Sequence, residues 1–205
     1  MHYFSTRDEM IRAIAKPGFK IAEIGVFLGQ FAQTLATTLP EELVLIDPWT
    51  GKVQSGNQDG NNVVVADLDG AFPLLQKHFG RWPWVRIERG YSEQVLKKYP
   101  DHYFDLIYVD GDHSLEGCTK DLDLALKKVK PGGWICGHDY DMNELKAKNV
   151  YCFGVHEAVE NFLQRTGLRI AALGLDGCVS FAIPVPPAAS SESGILRPQG
   201  IPRNL

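Results

Sequence analysis

The chain has 205 residues, 44% of them hydrophobic and 22% charged, with a formal net charge of −4. That is the size and balance of one globular domain with a full core, and it excludes two ordinary domains joined by a linker. No apolar stretch approaches the roughly 18–20 residues that span a bilayer, and the charge balance offers no basic excess for nucleic acid.

In chain order, residues 6–15 read as a helix leading into an apolar run at 20–25, the first of seven candidate strands. A helical stretch at 29–38 and a second run at 43–47 follow. Residues 50–67 are polar and turn-rich, longer than an ordinary connection, and read equally as a lid or substrate loop and as a surface loop. Beyond them come helical patterns near 69–79, 91–98, 114–129 and 153–165, alternating with runs at 84–88, 104–110, 133–137, 168–173 and 178–183. Strand and helix in alternation predict a mostly parallel sheet covered on both faces. In the 114–129 helix, Cys118, Leu122, Ala125 and Val129 form one apolar stripe, with Lys120, Asp121, Lys127 and Lys128 off it. Pro131-Gly132-Gly133 is expected to end that helix and turn the chain into the next strand. Residues 184–205 hold five of the twelve prolines and read as an extended tail that could dock on a neighbouring subunit of a homo-oligomer. The expected organisation is a single domain over 1–183, with 50–67 as an inserted loop.

The N-terminal residues lack the basic segment and apolar core of a secretory signal, which predicts a cytoplasmic protein. Cys118, Cys136, Cys152 and Cys178 are irregularly spaced within apolar segments. They read as reduced thiols, not as a zinc or redox site.

The chemistry gathers at the strand ends. Ala22-Glu23-Ile24-Gly25-Val26-Phe27-Leu28-Gly29 is a strand-to-helix turn with an acid two residues before its first glycine. A nicotinamide-binding turn requires glycine where Phe27 stands, so that the backbone can close on a pyrophosphate. A cofactor without pyrophosphate, carrying a positive group that Glu23 could help hold, fits better, and S-adenosylmethionine is the candidate. Asp47, at the end of the second strand and followed by Pro48-Trp49, is placed to accept ribose hydroxyls. The competing reading makes it a turn cap. Trp49 is the tryptophan best placed to flank the cofactor, and Gly90, Tyr91 and Ser92 could border its adenine, although Ser92 could equally cap the next helix.

The fourth strand closes on Asp110-Gly111-Asp112-His113 and the fifth on Gly137-His138-Asp139-Tyr140. If those strands are neighbours, about 5 Å apart, Asp110 and Asp139 meet. Two carboxylates that close repel unless one is protonated or a cation intervenes. A hard divalent ion such as Mg²⁺ would resolve the conflict, and His138 as a third ligand shifts the preference towards Mn²⁺, Fe²⁺ or Zn²⁺. The alternative is that both acids cap helices.

Glu23-Ile24-Gly25 with Gly29, Leu45-Ile46-Asp47-Pro48, Ile107 to Ser114, and Lys130-Pro131-Gly132-Gly133 with His138-Asp139-Tyr140 resemble the ordered motifs of class I S-adenosylmethionine-dependent methyltransferases. The last two sets look most like a subgroup containing metal-dependent sugar O-methyltransferases of antibiotic pathways. The resemblance implies an α/β, Rossmann-like seven-stranded sheet of order 3-2-1-4-5-7-6, mostly parallel with the last strand antiparallel and helices on both faces. It implies Glu23, Gly25, Gly29, Asp47 and Ser92 at the cofactor, with Asp110, His138 and Asp139 at a metal and Asp110 also beside the methyl donor. Phe27 in place of a second glycine, and His138-Asp139 where relatives carry Asp-Asp or Asp-Asn, depart from the pattern.

The expected reaction is O-methylation of a hydroxylated, sugar-like small molecule, with Asp112 or His113 as the base. A nicotinamide-dependent oxidoreductase and a non-catalytic nucleotide-binding protein are the alternatives.

Overall fold

A computed structural model describes residues 1–56, 63–140 and 154–188. Its ten strands are β1 (His2–Phe4), β2 (Lys20–Ile24), β3 (Glu42–Asp47), β4 (Lys52–Gly56), β5 (Val63–Asp67), β6 (Val85–Arg89), β7 (Phe104–Val109), β8 (Val129–Gly137), β9 (Ala172–Asp176) and β10 (Cys178–Pro184). The described helices are α1 (Arg7–Ile14), α2 (Gln30–Thr37), α3 (Leu68–Phe79), α4 (Ser92–Leu96), α5 (Leu115–Lys128) and α6 (Val155–Thr166).

Eight strands form one sheet in the order β1-β9-β10-β8-β7-β2-β3-β6. Apart from β1, this is the expected order, and β10 runs antiparallel to both β8 and β9. The added strand β1 pairs in parallel with β9 at the sheet edge. At three residues it is too short to leave a periodic signal. The expected strand at 168–173 is displaced to Ala172–Asp176, where pairing with both β1 and β10 sets the register.

The central strands β2 and β3 are flanked on both sides, so their residues are almost all buried, which is why they read as continuous apolar runs. Successive side chains nonetheless go to opposite faces. Ile21, Leu43, Leu45, Leu106 and Tyr108 pack with α1, α2 and α3, while Ala22, Ile24, Val44, Ile46, Ile107 and Val109 pack with α4, α5 and α6. Each large aliphatic side chain removed from water contributes about 1.5–3 kcal/mol, so both layers are held by the sheet they cover.

Local signals set the helix ends. The Thr6 hydroxyl accepts from the Glu9 amide at the start of α1, and Ser114 caps α5 through the Gly117 amide at 3.0 Å. On α5 the expected apolar stripe is buried, but so are Asp121 and Lys128. Their polar ends have partners: Asp121 accepts from the Ser92 hydroxyl, and the Lys128 ammonium donates to Asp101 and the Tyr99 carbonyl. Helix α5 ends at Lys128, and Pro131-Gly132-Gly133 lies inside β8, beside an irregularity in the β7 pairing. A bulge absorbs the proline within the strand.

Within 50–67, β4 and β5 pair as antiparallel strands. Val63-Val64-Val65 is a β-branched run that the surrounding polar residues obscured. Residues 57–62, 141–153 and 189–205 lie outside the described residues, and with them the middle of the expected 50–67 loop, Cys152 and all of the expected 184–205 tail beyond residue 188.

Candidate active site at the carboxyl ends of the strands

Strand register builds the site. Ile24 stands opposite both Ile46 and Val109, Val109 opposite Gly137, and Asp47 opposite Arg89. Residues Gly25, Asp47, Asp110 and His138-Asp139 therefore leave the sheet along one rim. Backbone bonds extend the alignment one step beyond the strands: the Gly25 amide donates to the Ile46 carbonyl, Asp110 to Ile24, His138 to Val109 and Gly90 to Asp47.

Two features of the glycine turn admit no side chain. Gly25 has φ +83°, and a Cβ there would lie 1.9 Å from the Asp110 carbonyl oxygen, so the ends of β2 and β7 touch through it. Gly29 begins α2 in the left-handed region at φ +79°. Phe27 is also left-handed, at φ +52°, a conformation costing a non-glycine residue about 1–2 kcal/mol.

Asp47 and Trp49 hold that turn. One Asp47 carboxylate oxygen accepts from the Val26 and Phe27 amides at 2.9 and 3.0 Å, and the other accepts from the Trp49 amide at 2.6 Å. The Trp49 indole N–H donates to the Phe27 carbonyl at 2.9 Å. Trp49 is fully buried and packs on Phe72, so it lies beneath the turn. Arg89 ties the β3 end to α3, donating to the Trp49 carbonyl and to Asp69. At the far end Gly90 follows β6 and Tyr91 is exposed. Ser92 is the first residue of α4, its hydroxyl 2.5 Å from Asp121.

Glu23 is buried, and its Oε2 has no hydrogen-bond partner among the described residues. Burial first, then the nearby Asp110 and Asp47 charges, push its carboxyl well above the ordinary range, and Arg7 opposes them. A buried acid with an open oxygen is a costly arrangement. It suits a cationic group arriving at the turn.

At the other half of the rim, Asp110, His113 and Asp139 present ligand atoms within 4.8 Å of one another. The His113 Nε2 is 3.3 Å from Asp110 Oδ1 and 3.1 Å from Asp139 Oδ2. The His138 Nδ1 lies 3.3 Å from Asp139 Oδ1 but 4.0 Å from Asp110. The geometry therefore gathers the two acids about His113, with His138 beside Asp139. Burial opposes the charge on His113, but bonding to Asp110 and Asp139 overrides it and raises its pKa to about 10. Burial likewise works against the Asp139 carboxylate, and the two histidines prevail, holding its pKa below the usual range. Asp139 reaches this position from the left-handed region, at φ +59°. Asp112 is exposed and accepts from the Ser114 amide at 2.9 Å, at the foot of α5.

Arg7 is the site residue that sequence reasoning missed. It enters from α1, its guanidinium 4.6 Å above the Phe31 ring and 3.5 Å from Asp110 Oδ2. One arginine at a helix start gives no local cue. Only the packing of α1 beside the sheet brings it to the rim.

Known structures share this architecture. The N-methyltransferase NodS from Bradyrhizobium japonicum WM9 superposes with a TM-score of 0.61 at 16% identity, covering 88% of this chain and 94% of that one. An O-methyltransferase from Bacillus cereus, solved with SAH, gives 0.57 at 15% identity over 86% and 78%. TomG from Streptomyces achromogenes, an O-methyltransferase of tomaymycin synthesis solved with SAM, gives 0.55 at 16% over 87% and 77%. At these identities the likeness establishes the fold. No curated protein matches the sequence. The model of the family described as "Methyltransferase domain" matches residues 22–140, more than half of the chain and the whole rim from Glu23 to Asp139, and the chain belongs to that family.

Proposed function

We propose that this chain is an S-adenosylmethionine-dependent O-methyltransferase acting on a hydroxylated small molecule, with sugar hydroxyls the first acceptors to try. The unpartnered Glu23 oxygen beneath the glycine turn carries the reading. A donor with an ammonium and a sulfonium centre supplies the cation that this buried acid lacks, whereas a pyrophosphate would bring further negative charge against Glu23, Asp47 and Asp110. The turn would seat the donor, Asp47 and Trp49 would hold the turn's shape, and Gly90, Tyr91 and Ser92 would border the adenine.

The donor set Asp110, His113 and Asp139 suits a divalent ion of mixed nitrogen and oxygen preference, with His138 close enough to join. Such an ion would lower the pKa of an acceptor hydroxyl. The chain's own residues orient the acceptor against the rim and fix protons there. Without a metal, the two carboxylates favour the protonated form of His113 at neutral pH, and its imidazolium offsets one of their two charges. In that state His113 donates a hydrogen bond, and it serves as a base only once that proton has left. Asp112, engaged at the start of α5, is read as a cap.

The partner is thus a small molecule, with neither nucleic acid nor membrane involved, in the cytoplasm; oligomeric assembly belongs to the same proposal. None of the described helices is long and apolar enough to cross a membrane. Calorimetric titration with S-adenosylmethionine and with NADH, followed by transfer of labelled methyl to a panel of hydroxylated acceptors with and without chelator, tests the reading. Binding of NADH in preference to S-adenosylmethionine would overturn it.

A further inference from the structure

The amino ends of the central strands form a second rim, opposite the candidate active site, and a groove opens there. Lys20 begins β2, Glu42 begins β3, Arg86 is the second residue of β6 and Tyr103 precedes β7. Register sets Lys20 opposite Glu42, and Arg86 opposite Val44, two residues on from Glu42. The side chains of Lys20, Glu42 and Arg86 therefore share one face of the sheet. Together with Tyr103, Glu41 and the Pro83-Trp84 pair they line about 370 Å³, within the range of small-molecule pockets, about 300–1,000 Å³. The five residues of β2, at about 3.3 Å each, hold the groove roughly 17 Å from the carboxyl-end rim.

The charges in this groove cancel in pairs. Arg86 donates through Nε to one Glu42 oxygen, and the Tyr103 hydroxyl donates to the other at 2.6 Å. The Lys20 ammonium lies 3.4 Å from Glu41 and 4.6 Å above the Tyr103 ring. An anionic ligand would meet two carboxylates and a cationic one two cations, while a zwitterion would gain only by breaking pairs already made. A neutral ligand rich in hydroxyls breaks none of them. Among the described residues Arg86 is engaged through Nε alone, which leaves its terminal N–H groups as donors. Glu41, 63% exposed, keeps lone pairs that can accept. One wall is aromatic: Trp84 is half-buried, and Trp82 stacks on its indole at 5.5 Å and 11°. The electron-rich face of such a ring attracts polarised C–H groups. Hydroxyls around the edge and C–H groups on the face of one small ring are the chemistry of a sugar.

We propose that this groove is a carbohydrate-binding subsite for a neutral sugar unit, separate from the site of methyl transfer. Trp84 packs on the C–H face of the sugar, and Arg86 and Glu41 hydrogen-bond its hydroxyls. The proposal stands independently of the S-adenosylmethionine reading, since the groove is lined, among the described residues, by none from the glycine turn or the histidine centre. Arg86 and Glu41 are mostly in water, so affinity in the millimolar range is expected.

NMR saturation transfer from the intact chain to maltose, cellobiose and lactose tests this, with glucosamine, glucuronate and glycylglycine as charged counterparts. At least one neutral disaccharide should bind with a Kd of about 0.5–10 mM, and about threefold or more tighter than each charged compound. Trp84→Leu and Arg86→Gln should each weaken that binding about fivefold or more, while calorimetric titration with S-adenosylmethionine stays within about twofold of the wild type. Should Arg86→Gln fail to fold because Glu42 loses its partner, Trp84→Leu and the wild-type selectivity still decide. Saturation transfer to none of the three disaccharides, or binding that survives Trp84→Leu undiminished, overturns the proposal. Binding of a charged compound as tightly as the disaccharides also overturns it, and would make the groove an ion or peptide site instead.

Discussion

At the β2–β3 end of the rim, Asp47 is engaged by three backbone amides, two of them in the glycine turn. At the β7–β8 end, Asp110 and Asp139 face each other across a histidine. One acid therefore shapes the backbone, and the other two hold charge. The first arrangement is a rigid seat whose energy lies in satisfied N–H groups. The second is a titratable centre whose state depends on protons or on an added cation. Glu23 sits between them, buried and unsatisfied.

The largest effect is expected from Asp47→Ala. It would strand three amides and release Phe27 from a strained conformation, costing about 3–5 kcal/mol at about 1–3 per buried unsatisfied group. Denaturant unfolding would measure this, and a loss below about 1 kcal/mol would show that the turn holds itself.

Glu23→Gln should act in the opposite sense. Because its carboxyl is raised in the folded protein, ionised Glu23 weakens the fold as pH rises above the ordinary glutamate range. The amide should therefore raise ligand-free stability at neutral pH by about 1 kcal/mol while lowering S-adenosylmethionine affinity at least about tenfold. In the wild type, a cationic ligand should draw the proton off Glu23. Calorimetry in buffers of differing ionisation heat should thus show proton release on binding, and affinity that grows with pH. Proton uptake instead would contradict the assignment of Glu23 to the cation.

The histidine centre should show a milder pH signature. The pKa of His113 is raised from 6.5 to about 10, so its contribution to stability is full below 6.5 and declines as pH rises through about 10. Asp139 is shifted down from 3.8, so its contribution is full above that value and falls away in acid. NMR titration of the ring protons, with chelator present, should find His113 still protonated at pH 8. His113→Gln should flatten the alkaline limb of the stability profile. An ordinary histidine titration near 6.5 would mean that the three groups do not associate in solution.

Asp112→Ala should cost the least, about 0.5–1 kcal/mol for a lost bond at a helix start, and methyl transfer should persist. Abolished transfer with unchanged stability would restore Asp112 as a base.

Much of this was legible in the chain. The apolar runs at β2, β3 and β7 specified central strands because burial on both faces demands continuous hydrophobicity, and Gly25, Asp47, Asp110 and Asp139 were visible as polar punctuation at strand ends. Strand β1, the β4–β5 hairpin and the position of β9 were not, because their pairing partners, and not their own periodicity, define them. Asp121 and Lys128 lie off the apolar stripe of their helix and are buried all the same, since a hydroxyl, a carboxylate and a carbonyl from other elements receive them.

By itself the sequence determined the order of elements, the glycine turn and which acids close which strands, because backbone sterics and burial act within a few residues. The tertiary structure alone decided what each acid faces. Asp47 meets amides, the pair Asp110 and Asp139 meets His113 more closely than His138, and one buried oxygen of Glu23 has no hydrogen-bonding partner among the described residues. It also brought Arg7 from α1 to the rim. Those encounters depend on strand register and helix packing across the fold, and electrostatics over 3–4 Å has no counterpart in sequence distance.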